Sequence, residues 1–292
     1  MHVVLHAGAH NTDDERLVRC LLKNRDAFHK RGISVPRPTA YRRLIRDLLQ
    51  TMDQGPLAED AHDRLLHDIL EGADDPDRIL FSNENFFSVP KVAINKGVIY
   101  PGAEVRLARF CTLFQHDQVE LFLAIRNPAT FLPAVFAQAP TPDFLDFMGG
   151  ADPRHLRWSE LINRLRSHVP EAQIHVWCNE DTPLLWAQLV RDMAGLEHNE
   201  KIVGGFDLLT EIMSGEGMKR FRAYLKQHPN MNEIQKRRVI AAFLDKFALD
   251  DELEEEIDLP GWNDSMLDTL SEIYDEDVYD ISRIQGVTLV EP

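Results

Sequence analysis

Most of the side chains able to do chemistry near the start of the chain lie in one stretch, His6-Ala7-Gly8-Ala9-His10-Asn11-Thr12-Asp13-Asp14-Glu15-Arg16. His6 and His10 flank a glycine at a spacing that lets both reach a ligand or a metal. Histidines at a strand end more often bond to backbone, which is the plainer role for this pair. The three consecutive acids also allow two readings. Together with Glu84 they form a set of carboxylates suited to a hard cation such as Mg²⁺, which would make the protein a metal-dependent phosphohydrolase. Consecutive helical residues point in different directions, however, so the three do not converge on one ion and no metal site is assigned. The other reading is structural. Thr12-Asp13-Asp14-Glu15 has the Thr-x-x-Glu spacing of a capping box, in which the Thr12 oxygen accepts the Glu15 N–H and Glu15 reaches back to the Thr12 N–H. Asp13 and Asp14 would then complement the helix dipole.

Two further residues stand at places where chemistry is useful. Glu84 follows the strand-like run Arg78-Ile79-Leu80-Phe81-Ser82, where a general base would be well placed. Its plainer role is a loop carboxylate that caps the turn at Asn83–Asn85. Arg126 follows the strand-like run Val119–Ile125 and is able to hold a phosphate, or to pair with a nearby acid.

These residues need a scaffold, and the periodicity supplies one. Val3-Val4-Leu5 is a β-rich run ending at Gly8. Leu17, Leu21, Leu22 and Phe28 recur at helical spacing until Gly32, and Ile33-Ser34-Val35-Pro36 is extended. Two helices follow, over Tyr41–Met52 and Leu57–Leu70. A strand at Arg78–Ser82, a helix at Ala103–Phe114, a strand at Val119–Ile125, a helix at Trp158–His168 and a strand at Ile174–Trp177 come next. Beyond Thr182 the pattern is almost wholly helical. Strands alternating with helices predict an α/β fold with a central parallel sheet covered on both faces and a helical C-terminal part. Ligands of such sheets bind at the carboxyl ends of strands, often on the N-terminus of the next helix. The loop Gly8–Thr12 is the first such place.

The same residues carry a family resemblance. His6, Gly8, His10 and Thr12 match the His-x-Gly-x-His-Lys-Thr-Gly-Thr-Thr loop of bacterial sulfotransferases that use 3′-phosphoadenosine-5′-phosphosulfate (PAPS). Asn24-Arg25, Gly32-Ile33 with Pro36, Ser82-Asn83-Glu84-Asn85, Ile125-Arg126-Asn127-Pro128, Leu259-Pro260-Gly261-Trp262 and Tyr274-Asp275-Glu276-Asp277 resemble its later motifs in order and spacing, over nearly the whole chain. The resemblance implies a P-loop-like three-layer fold. It also implies a donor site at Gly8, Ala9, His10, Asn11, Thr12 and Arg126, with Glu84 as base and His10 as a second catalytic residue.

The departures fall on that donor site. Asn11 stands where the family has lysine, and Asp13-Asp14-Glu15 where it has Gly-Thr-Thr. The serine that the family pairs with its arginine is Ala134 here. A carboxylate has no proton to donate to an anion near neutral pH. The favoured expectation is therefore a sulfotransferase-like protein with a degenerate, vestigial donor site, non-catalytic or repurposed, needing no cofactor. The alternative is an active PAPS-dependent enzyme that sulfates a hydroxyl or amine of a glycan or small molecule.

Composition sets the remaining bounds. The 292 residues hold 48 Asp+Glu against 32 Lys+Arg, a net charge of −16. Residues 250–282 carry 14 acids and no base, so the rest has 48 − 14 = 34 acids against 32 bases, or −2. A basic nucleic-acid surface across the protein is excluded. Basic clusters at Arg154, Arg157, Arg164 and Arg166, at Lys219–Lys226 and at Lys236-Arg237-Arg238 read as solvated helix faces. One of them would otherwise dock an anionic or glycan substrate, or the acidic segment, and a protein partner remains open. No apolar run is long enough to span a membrane. The N-terminus has no secretory pattern, and Cys20, Cys111 and Cys178 are odd in number with no metal-like spacing, so the expected location is cytoplasmic. One domain over 1–292 is expected, with the acidic helical segment 250–292 packed on it through an apolar face that includes Leu253, Ile257, Leu270, Tyr274 and Ile281.

Overall fold

The computed structural model describes residues 1–70, 75–141, 143–249, 259 and 261–292. The readings placed on Leu253 and Ile257 lie outside the described residues. The strands are β1 (His2–His6), β2 (Ile33–Ser34), β3 (Arg78–Ser82), β4 (Ile94–Asn95), β5 (Val98–Ile99), β6 (Gln118–Ile125), β7 (Gln173–Cys178) and β8 (Val287–Leu289). Six of them form a parallel sheet in the order β2-β3-β1-β6-β7-β8. The helices on the N-terminal side are α1 (Arg16–Lys23), α2 (Arg25–His29), α3 (Pro38–Thr51), α4 (Ala61–Leu70), α5 (Ala103–Leu113) and α6 (Pro128–Gln138). They continue as α7 (Phe144–Phe147), α8 (Trp158–His168), α9 (Thr182–Ala194), α10 (Asp207–Ile212), α11 (Gly215–Gln227), α12 (Glu233–Phe247) and α13 (Asp264–Ser282).

Alternate strand residues feed two cores, as the pleat requires. Val3, Leu5, Ile79, Phe81, Leu121 and Leu123 pack under α3–α8 and α13. Val4, Leu80, Phe122 and Ala124 pack under α1, α2 and α9–α12. This is the three-layer α/β arrangement with a central parallel sheet that the sequence predicts. β6 is buried from Val119 through Ile125 because both sheet faces are covered, hence its mostly apolar sequence, in which the one charged residue, Glu120, is paired with Arg78 at 2.6 Å.

Three features refine the sequence expectations. The helix expected over Leu17–Phe28 is broken at Asn24. Its amide donates to the Cys20 and Val203 carbonyls, both at 2.9 Å, and its Oδ1 accepts the Val203 N–H at 2.7 Å. β4 and β5 form a separate antiparallel hairpin whose turn residues, Lys96 and Gly97, both have positive φ. The C-terminal part is not purely helical, because β8 adds a sixth parallel strand beside β7.

α13 packs on α8 and α6, at the carboxyl end of β6. Asn127 Nδ2 donates to Ser271 Oγ at 2.9 Å, and Trp262 Nε1 donates to the Ala129 carbonyl at 2.8 Å. The C-terminal segment thus holds the connection that carries Arg126. Among the described residues no helix is long and apolar enough to cross a membrane.

Candidate functional site

The parallel register puts His6 beside both Ser82 and Phe122, so the loops after β1 and β3 emerge at one level, and the β1 loop runs on beside β6, where the Ala9 N–H donates to the Ala124 carbonyl at 2.9 Å. Gly8 sits between them at φ +89°, and a Cβ there would lie 3.2 Å from the Glu84 Cα and carbonyl oxygen. Glycine is needed for both reasons: the left-handed backbone and the approach of the Glu84 loop.

His6 and His10 behave as structural groups. His6 is buried, shares a hydrogen bond with Ser82 Oγ at 3.0 Å and stacks on Trp177. Burial, aided by the charge of Arg42, pushes its pKa down to about 4. The His10 N–H donates to Tyr100 Oη at 3.0 Å. With that oxygen accepting, its proton points at His10 Nδ1, 2.8 Å away, and His10 Nε2 donates to Asn85 Oδ1 at 3.2 Å. Burial lowers the pKa of His10, opposed by the Asn85 and Ser88 contacts. Both imidazoles are thus neutral at pH 7.

The Thr12–Glu15 capping box does not form. Thr12 Oγ1 donates to the Ala9 carbonyl at 2.7 Å instead of accepting. Glu15 has φ +63° and its side chain pairs with Arg42. Asp13 caps α1 in its place: its Oδ1 accepts the Leu17 N–H at 2.7 Å and its carbonyl accepts the Arg16 N–H at 2.9 Å. Asn11, Asp14 and Glu15 all have positive φ. For non-glycine residues that geometry costs on the order of 1–2 kcal/mol each. Asp13, between them, turns inward and is only 7% exposed. Its carboxyl is pushed up to about 7, chiefly by burial and further by Asp14 and Glu84, against the Leu17 N–H and Arg16.

The acids therefore diverge: Asp13 to Leu17, Asp14 to Arg16 at 3.0 Å, Glu15 to Arg42. Among the described residues no group of three or more His, Cys, Asp or Glu is placed to hold a metal ion.

A pocket of about 390 Å³ opens beside this loop, lined by Asn11, Asp13, Asp14, Arg16, Arg126 and Thr130. Arg126 is buried; its Nε donates to Thr130 Oγ1 at 3.0 Å and its Nη1 to the Asn11 carbonyl at 2.6 Å. Trp158 Nε1 in turn donates to the Arg126 carbonyl at 2.9 Å. Ala134 leaves no hydroxyl at the expected position, yet Thr130, one turn nearer on α6, supplies one. Asn11 Oδ1 is buried with no hydrogen-bond partner among the described residues.

The connection after β7 completes the wall with Asn179, Glu180, Thr182 and Trp186, residues not singled out from the sequence. Glu180 accepts the Asn127 N–H at 2.8 Å and a hydrogen bond from Tyr274 Oη at 3.1 Å. The signal for them was positional, since they follow a central strand at its carboxyl end.

Glu84 stands apart from this pocket, half-buried. It does not cap its turn, because Asn83 Oδ1 accepts the Asn85 N–H at 3.2 Å. Burial raises its pKa, with the charges of Asp14 and Glu15 adding and Arg42 opposing. The basic cluster on and before α8 is consumed internally: Arg154 pairs with Asp152, Arg164 with Glu104 and Glu160, and Arg166 donates to the Pro170 and Ala172 carbonyls.

Fold and site together define a parallel α/β protein with a polar pocket at the carboxyl ends of its central strands. No family model matches the chain, and no curated protein matches it. Among solved structures it is similar to a sulfotransferase from Alicyclobacillus acidocaldarius, at 15% identity and a TM-score of 0.41, over 89% of this chain and 97% of that one.

Proposed function

We propose that the chain is a sulfotransferase-like protein repurposed for binding, whose pocket no longer takes PAPS. The observation that carries this reading is the Asp13 carboxyl seated on the Leu17 N–H at 2.7 Å, at the helix N-terminus where a donor anion would sit. Asp13, Asp14 and Glu180 then face Arg16 and Arg126 around the pocket, with Asn11 in place of a lysine. A carboxylate about 4 Å from a phosphate costs on the order of 4 kcal/mol at an effective dielectric near 20. The helix terminus returns only about 0.3–2 kcal/mol. Repulsion wins. The remaining amides and hydroxyls, Asn11, Asn127, Thr130 and Asn179, suit a neutral polar ligand. The three free thiols, all with raised pKa, fit a reducing compartment such as the cytoplasm. Calorimetric titration with adenosine 3′,5′-bisphosphate is expected to show no binding. A micromolar Kd would overturn the proposal.

A second reading, an active PAPS-dependent sulfotransferase, is favoured by one observation: Glu84 is half-buried with a raised pKa, as a general base requires. On that reading Glu84→Gln abolishes sulfate transfer to a hydroxyl acceptor while leaving donor affinity intact. An absence of turnover across a broad panel of hydroxyl and amine acceptors rejects it.

A further inference from the structure

A second cavity lies on the other side of the loop, between the α1–α2 region and the start of α3. It is an open groove of about 1080 Å³ whose charged lining is Arg25, Arg37, Arg42, Arg43 and Glu15. Four guanidinium groups face one carboxylate, a formal +3, in a chain whose net charge is −16.

The single acid is already committed, because Glu15 pairs with Arg42. Arg42 also donates from Nε to the Ser82 carbonyl at 2.9 Å, so its fork is fixed by two partners. Arg25, Arg37 and Arg43 are exposed and have no carboxylate partner among the described residues. Elsewhere Arg16, Arg31, Arg46, Arg64, Arg78 and Arg109 all pair with acids. Like charges held together without counter-charge repel, and an anion between them relieves that repulsion. Guanidinium forks match the tetrahedral oxyanion geometry of phosphate and sulfate. α3 begins in the groove with Pro38 at its first position, and its positive end adds to the field. Three uncommitted forks around so wide an opening are too many for one anion.

We propose that this groove binds a small polyanion, a molecule that presents two or more phosphate or sulfate groups. This stands apart from the reading of the Arg126 pocket and does not rest on it, since the two cavities share no lining residue.

The test is calorimetric titration of the full chain at low salt with inorganic tripolyphosphate and, separately, with a fully sulfated disaccharide. At least one is expected to bind with a micromolar Kd, and the tighter of the two identifies phosphate or sulfate as the natural group. R37E/R43E is expected to weaken binding more than tenfold. The milder R37Q/R43Q pair should act in the same direction, which covers a folding failure of the reversal. K226E/R238E makes the same charge change in the other basic clusters and should alter affinity less than twofold. No binding of either probe would overturn the proposal. So would equal weakening by the two reversal pairs, or inorganic phosphate binding as tightly as tripolyphosphate.

Discussion

Asp13 and His6 are buried titratable groups of opposite sense at the same strand end, and their linkage to stability runs in opposite directions. The Asp13 carboxyl, ordinarily near 3.8, is raised to about 7, so the folded chain keeps a proton that the unfolded chain has lost. Its contribution is fully present below pH 3.8 and is lost as pH rises through 7, a total of about 4 kcal/mol. His6 is lowered from 6.5 to about 4, so it disfavours the folded state at low pH and ceases to do so as pH rises through that window. Between about pH 4 and 6.5 the two slopes largely cancel, and above 6.5 the Asp13 slope stands alone. Asp13→Asn keeps an oxygen to accept the Leu17 N–H but carries no titrating proton. The variant is expected to be more stable than wild type by at least about 1 kcal/mol at pH 8 and to lose that advantage at pH 5. Denaturant unfolding at pH 5, 6.5 and 8 measures the difference, and a pH-independent difference would show that Asp13 titrates normally.

At the scale of elements, the clearest dependence is between α8 and α13. No side chain within α8 caps it. Asp277, which is 2% exposed on α13, accepts the Trp158 N–H at 2.5 Å and the Ser159 N–H at 3.3 Å. Asp277→Ala leaves those donors buried and unpaired, at a cost of roughly 2 kcal/mol. A Tm lower by about 4–8 °C is expected, with partial recovery in Asp277→Asn. An unchanged Tm would mean that water replaces the cap.

This pair also marks where sequence reasoning stops. β3, β6 and β7 were legible because strands covered on both faces are dominated by apolar residues, with Glu120 and His175 as the exceptions. β4, β5 and β8 have only two or three residues each, too few for any periodicity. The acidic loop was legible as a self-satisfied helix start but not in its detail. Thr-x-x-Glu spacing is a local signal, whereas Glu15 is claimed by Arg42, 27 residues away. The same distance problem hid the α8 cap, whose partner lies 119 residues along the chain. Arg126 was visible as a strand-end cation, while Thr130 went unread because the resemblance directed attention to Ala134.

For the molecule as a whole, α13 and β8 are structural members rather than a charged appendage. Leu270, Tyr274 and Ile281 of α13 and Val290 after β8 are all buried. At about 1.5–3 kcal/mol per large apolar side chain, they stabilise the fold by roughly 6–12 kcal/mol, comparable to the whole stability of a typical domain. This part of the chain also carries Ser271, the partner of Asn127; Tyr274, which reaches Glu180; and β8, which covers the edge of β7. A chain ending at Trp262 would therefore lose the support of both the Arg126 connection and the β7 connection, and would expose a strand edge. It is expected to show no cooperative thermal transition and to bind a hydrophobic dye, while retaining some helical circular dichroism. If the truncated chain instead melts cooperatively near the wild-type Tm, the acidic segment is dispensable and the pocket is held by the remaining helices alone.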